Sequence, residues 1–189
     1  MKARSEANRD QRYVALLRGV NVGGNHIAPM AEVRALFDSL GFEDVRTYVQ
    51  SGNVAFTIKA SDGGVDESAL AALIEDAFEA KFGFGSAVVL RTRDDLAGLA
   101  ARNPYMAHVG EPTKVNVYFM AKEPAAEMVA ALDPRHAAPD EFAVDGREAF
   151  VWFADGAGRS KLKLNLGIPA TARNWNTVTK LLALLDAAD

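Results

Sequence analysis

The stretch YVALLRGVNVGGN, residues 13–25, decides the reading of the fold. Its first eight residues are a nearly continuous apolar run, the pattern of a strand covered on both faces. Asn21, Gly23 and Gly24 end the run. Pro29 then stands at a first helical position, and Met30, Val33, Leu36, Phe37 and Leu40 recur at helical spacing up to Gly41, which reads as a C-terminal cap. Val45, Thr47 and Val49 alternate with Arg46, Tyr48 and Gln50. Ser51-Gly52-Asn53 interrupts the alternation and Val54, Phe56 and Ile58 resume it, which predicts a hairpin.

Asp62-Gly63-Gly64 reads as a loop. After it, Leu70, Leu73, Ile74, Ala77, Phe78 and Phe82 mark the clearest helix of the chain, starting near Asp66 or Ser68 and stopping at Gly83. Each large member is worth about 1.5–3 kcal/mol when fully buried, so the stripe needs a core to face. Residues 86–91 read as another strand. The order strand-helix-strand-strand-helix-strand is ferredoxin-like.

Residues 94–102 read as a short helix closed by Asn103-Pro104, and the chain up to Pro112 as a linker. The pattern then restarts, with a strand over 114–121, a helix opened by Pro124, and two strands flanking Asp145-Gly146, a two-residue hairpin signal. A short helix is expected over 161–166. Trp175, Val178, Leu181, Leu182 and Leu185 mark a final amphipathic helix. The expected architecture is α+β, two packed ferredoxin-like lobes of related βαββα(β) topology. The expected boundaries are a disordered tail over 1–12, an N-terminal lobe over 13–92, helix and linker over 93–112, and a C-terminal lobe over 113–189. Two small lobes bury little core alone, so a cleft between them is expected.

Composition removes several classes of function. The chain has 189 residues, 49% hydrophobic and 24% charged, which is globular rather than disordered or fibrous. No apolar run reaches the roughly 18 residues of a membrane span. The polar start lacks the apolar stretch of a secretory signal, so a cytoplasmic location is expected. There is no cysteine, which excludes disulfides, thiolate metal sites and cysteine nucleophiles. His26, His108 and His136 are far apart and no carboxylates cluster at ligand spacing, so neither metal nor cofactor is expected. The formal net charge is −4, yet between residues 156 and 185 the chain carries Arg159, Lys161, Lys163, Arg173 and Lys180 and no acidic residue. That asymmetry suggests an electropositive patch, while its plain alternative is a solvated basic face.

Three segments carry candidate chemistry. In the glycine loop, Arg18, Asn21, Gly23 and Gly24 lie between a strand and a helix, where backbone N–H groups can cradle an anion; the spacing matches no nucleotide fingerprint, and a tight turn is the competing reading. Ser51 and Asn53 form a turn that has a site role only if both point toward that loop. Arg173-Asn174-Trp175 opens the last helix: Arg173 offers a bidentate fork, Asn174 a cap, and Trp175 a ring for stacking or, at helical spacing, for the core. Among acid–base candidates only His26 and Ser51 stand near these segments, and Ser51 lacks a nucleophile elbow.

RYVALLRGVNVGGN, TYVQSGNVAF and ATARNWNTVTKLLAL, in that order, resemble the uncharacterised bacterial family called domain of unknown function 1697. The resemblance runs from about Arg12 to Leu185. It implies two ferredoxin-like lobes and no established activity, substrate or cofactor. Family motif positions fall on Arg18, Gly19, Asn21, Gly23 and Gly24, on Ser51, Gly52 and Asn53, and on Thr171, Arg173, Asn174 and Trp175. Where the family often has a basic residue after the loop, this chain has His26 and Ile27. The resemblance implies that the three motifs converge on one polar inter-lobe pocket. The expected function is binding of a phosphate-bearing ligand, nucleotide or RNA. The alternatives are an enzyme acting on a small phosphorylated or carboxylated metabolite, and motifs that only lock the lobes.

Overall fold

Two four-stranded antiparallel sheets organise the chain in a computed structural model that describes residues 9–24, 26–60, 66–133, 135 and 138–187. Asn25, the loop at Asp62-Gly63-Gly64, His136 and the first eight residues of the expected tail lie outside the described residues. By contacts the chain divides into two compact units, one made of the described parts of Met1–Leu96 and Leu181–Asp189, the other of Ala97–Lys180.

In the first unit, β1 (Gln11–Leu17) is the central strand. It pairs with β3 (Asn53–Ile58), where Val14 faces Ala55, and with β4 (Val88–Thr92), where Val14 faces Arg91. With β2 (Glu43–Tyr48) the order is β2-β3-β1-β4, the ferredoxin-like order. Strand β1 ends at Leu17 rather than at Val20, because Gly19 takes a φ of 73° and turns the chain out of the sheet. Alternation along β1 sends Tyr13, Ala15 and Leu17 to one face. There they join a core with Val33 and Phe37 of α1 (Met30–Ser39) and Ile74 and Phe78 of α2 (Glu67–Phe82). Phe56 meets Phe37 edge-on at 5.4 Å between centroids and Phe42 at 4.6 Å. Helix α2 starts as read: Asp66 accepts the N–H of Ala69, and Gly83 closes the helix in the left-handed region. Pro29 precedes the first helical residue of α1 by one position.

Helix α3 (Arg93–Arg102) follows β4, and a 3-10 turn covers Met106–His108. The second unit centres on β5 (Val115–Met120), which pairs with β7 (Glu148–Trp152) and β8 (Ala170–Asn174). With β6 (Glu141–Asp145) the order is β6-β7-β5-β8, the first sheet's order repeated. Asp145 pairs with Glu148, so the hairpin turns on Gly146 and Arg147, one residue later than expected. Helix α4 is short, Ala126–Ala130, and α5 runs Trp175–Asp186.

Two expectations fail: Gln11 and Arg12, read as the end of the tail, are the first residues of β1 and pair with Ile58 and Thr57, and residues 161–166 are not helical. Lys161, Lys163, Asn165 and Gly167 are exposed while Leu162, Leu164, Leu166 and Ile168 turn inward, a period of two that belongs to extended chain. Leu166 is buried with Met120 and Ala149, and Leu164 and Ile168 pack around them. An extended strap thus covers the second sheet where the ferredoxin-like order would place a helix. The strand β8 that follows it had no counterpart in the sequence reading beyond the optional last strand.

Candidate functional site

The glycine loop and the Ser-Gly-Asn turn meet within the first unit. Asn21 stitches them: its side-chain amide donates to Ala28 O at 2.9 Å and to Gln50 O at 2.7 Å, and its Oδ1 accepts the N–H of Ala28 at 2.9 Å. Its backbone N–H donates to His26 O at 3.0 Å. From the other side, Gly52 O accepts the N–H of Leu17 at 2.8 Å. A Cβ at Gly52 would stand 2.8 Å from the Leu17 Cβ, so the turn seats against β1 only because residue 52 lacks a side chain.

Asn53 is fully buried; its amide donates to Tyr48 O and to Ser51 Oγ, both at 3.0 Å. Asn21 and Asn53 therefore hold the loops in place. The groups presented to solvent are different ones. Arg18 and Ser51 are exposed, as are Gly23 and Gly24, whose φ values are 64° and 78°. Nothing stands within 4 Å of a Cβ built on either glycine. His26 is exposed and stacks on Phe84, ring centroids 4.8 Å apart.

Two features of this loop pair were not read from the sequence. Three of the four exposed large hydrophobic residues described, Val22, Ile27 and Val49, lie on it. Three of the four non-glycine residues with positive φ are also here, Asn21, His26 and Val49, beside Gly19, Gly23, Gly24 and Gly52. A β-branched residue in the left-handed region, as at Val49, is a strained position. The available signal was a valine run directly into Gln-Ser-Gly-Asn with no polar residue to begin the turn.

The third motif belongs to the second unit. Arg173 is 8% exposed; its Nη1 donates to Thr171 Oγ1 and to Ala172 O, both at 2.8 Å. Burial pushes its guanidinium down to about 10, which leaves it charged at neutral pH. Asn174 is the cap foreseen: its Oδ1 accepts the Thr177 N–H at 3.0 Å. Trp175 is buried.

The first unit holds a close parallel that the sequence reading missed. Arg91, fully buried at the fourth position of β4, donates through Nη1 to Leu90 O at 2.6 Å, and the next residue, Thr92, accepts the Asp95 N–H at 3.1 Å. Each fourth strand thus ends in a buried arginine followed by the cap of the next helix. The shared tripeptides, Leu-Arg-Thr and Ala-Arg-Asn, were visible but too short to stand out. Among the described residues no group of three or more His, Asp or Glu side chains is arranged to hold a metal, and no helix is long and apolar enough to cross a membrane.

The family model described as "Protein of unknown function (DUF1697)" matches residues 11–150. The chain belongs to this family. The DUF1697 match contains the glycine loop and the Ser-Gly-Asn turn and stops before Arg173. The solved structure of conserved bacterial protein SP0830 from Streptococcus pneumoniae is similar to it, with a TM-score of 0.69 and 24% identity over 93% of this chain and 99% of that one. That likeness supports the fold. No curated protein matches the chain.

Proposed function

We propose that this DUF1697 chain binds a phosphate-bearing small ligand of the nucleotide class on the loop pair of its first unit. The observation that carries the reading is the gathering of positive-φ residues and exposed apolar side chains on two loops joined by one asparagine. Strained backbone persists where surrounding structure over-determines it, and it collects at ligand clamps. Apolar residues in a patch on a water-facing surface mark a binding site.

The chemistry on offer is two-sided. Among the described residues the N–H groups of Gly23 and Gly24 make no hydrogen bond within the protein, and both glycines are exposed, so these groups can donate to a phosphate oxygen. Arg18 supplies a guanidinium and Ser51 a hydroxyl proton. Val22, Ile27 and Val49 supply the apolar flank that a base or another unsaturated ring would cover.

A thermal-shift series tests this with inorganic phosphate, nucleoside mono- and diphosphates, their dephosphorylated nucleosides and sugar phosphates. A nucleoside phosphate is expected to raise Tm, corresponding to about 2.7 kcal/mol at a hundredfold excess over Kd, and its nucleoside to raise it little. Arg18→Ala should weaken binding by about tenfold or more, one hydrogen bond to a charged group being worth roughly 1.5–3 kcal/mol. Gly24→Ala, which keeps its N–H but disfavours the φ of 78° that aims it, should weaken binding as well. An affinity unchanged in both variants, or no shift with any phosphate, overturns the reading.

A further inference from the structure

The strap of the second unit carries a second feature. Its start is pinned: Ser160 Oγ donates to Asp140 Oδ2 at 2.5 Å and accepts the Leu162 N–H at 3.0 Å, while Asp140 Oδ1 accepts the Ala154 N–H at 3.0 Å. The inward leucines hold its middle to the sheet. Between these anchors, residues 161–169 make no backbone–backbone hydrogen bond among the described residues, so the main chain is extended and solvated. Register and burial together force Lys161 and Lys163 outward in one row, and Arg159 is exposed in the turn that leads into the strap.

None of these three cations is in an ion pair among the described residues, whereas Arg34, Lys59, Arg93, Arg102, Lys114 and Arg135 all are. Alternate residues of an extended chain stand about 6.7 Å apart, so the two lysines are set along the strap, with Arg159 at its head. A cavity of about 240 Å³ opens at its head, lined by Arg159, Ser160 and Lys161 with Asp140 and Asp155. Both oxygens of Asp140 are already engaged, and Asp155 is the one exposed opposing charge of that lining. Unpaired cations spaced along a line fit a linear polyanion better than a flat anionic surface.

We infer that the strap is a track for the phosphodiester backbone of single-stranded nucleic acid. It lies in the other unit and uses none of the loop-pair residues, so it stands independently of the small-ligand reading. Binding rests on about three phosphate contacts and is weak, sequence-tolerant and salt-sensitive.

Fluorescence anisotropy of the full chain with labelled oligo-U and oligo-dT tests it. Log affinity should fall with log salt at a slope of about 2, as three contacts on a single strand give. The K161E/K163E double variant, whose side chains are exposed, should keep the wild-type Tm and lose about tenfold or more in affinity. Lys122→Glu, an exposed lysine outside the strap and the loop pair, should bind as wild type. Wild-type affinity in K161E/K163E overturns the proposal, as does absence of binding at low salt. Stronger lysine-dependent binding to anionic vesicles than to the oligonucleotides overturns it in favour of a lipid surface.

Discussion

Gly52 and Gly24 look alike in sequence and differ in what surrounds them. An alanine at 52 would meet the Leu17 Cβ at 2.8 Å and the Leu17 carbonyl at 3.2 Å, with φ at 70°. Gly52→Ala should cost about 2–4 kcal/mol in urea unfolding, overpacking added to the left-handed penalty, and Gly24→Ala only about 1–2 kcal/mol. Asn21→Asp should loosen the loop pair more than Asn21→Ala does, since it sets a carboxylate oxygen against the carbonyls of Ala28 and Gln50. Hydrogen exchange at Gln50 to Gly52 reads the difference. Tyr105 is buried, and burial, aided by Glu141, pushes its phenol up to about 12. The unfolded chain ionises near the ordinary tyrosine value while the folded chain keeps its proton. The tyrosine therefore favours folding fully at lower pH, and that contribution falls as pH rises from about 10 to about 12. Tyr105→Phe should flatten that alkaline decline in urea midpoint. At this scale the sequence named Arg18, Asn21, Ser51, Asn53 and the glycines. It could not separate Asn21 and Asn53, spent on holding loops, from Arg18 and Ser51, turned to water, because exposure is a property of tertiary packing.

Elements were legible wherever one pattern dominated. Helix α2 declared both its ends through Asp66 and Gly83, and the first hairpin declared its turn. The strap did not, because the short run KLKLNLG satisfies a helical count as easily as an extended one. Its alternation, with lysines out and leucines in, was the better evidence. Leu166→Ala should cost about 2–5 kcal/mol, as expected for a buried leucine, while Lys163→Ala should stay within about 0.5 kcal/mol. Equal effects at the two positions in chemical denaturation would contradict the extended register.

For the whole molecule, the repeated strand order was foreseen from the two halves of the sequence, and so was its ferredoxin-like class. The route of the C-terminal residues was not, since nothing local in an amphipathic helix says which unit receives its end. Within the first unit Arg93 Nε donates to Asp186 Oδ1 at 2.8 Å, and Arg46 donates to Ala187 O at 3.2 Å. Leu181 and Leu185 are 1% exposed. A chain ending at Lys180 loses both leucines, each worth about 2–5 kcal/mol, a sum comparable to the net stability of an ordinary domain. Its thermal unfolding should lose cooperativity in calorimetry.

The same return brings Leu185 O to within 3.0 Å of Arg12 Nη1, at the start of β1. A short flexible linker from Leu185 to Arg12 can therefore close the segment between them into a ring, and the ring can be reopened at the tip formed by Gly146 and Arg147. Such a circular permutant leaves every strand from Arg12 onward uncut, and where its sequence starts becomes a matter of choice.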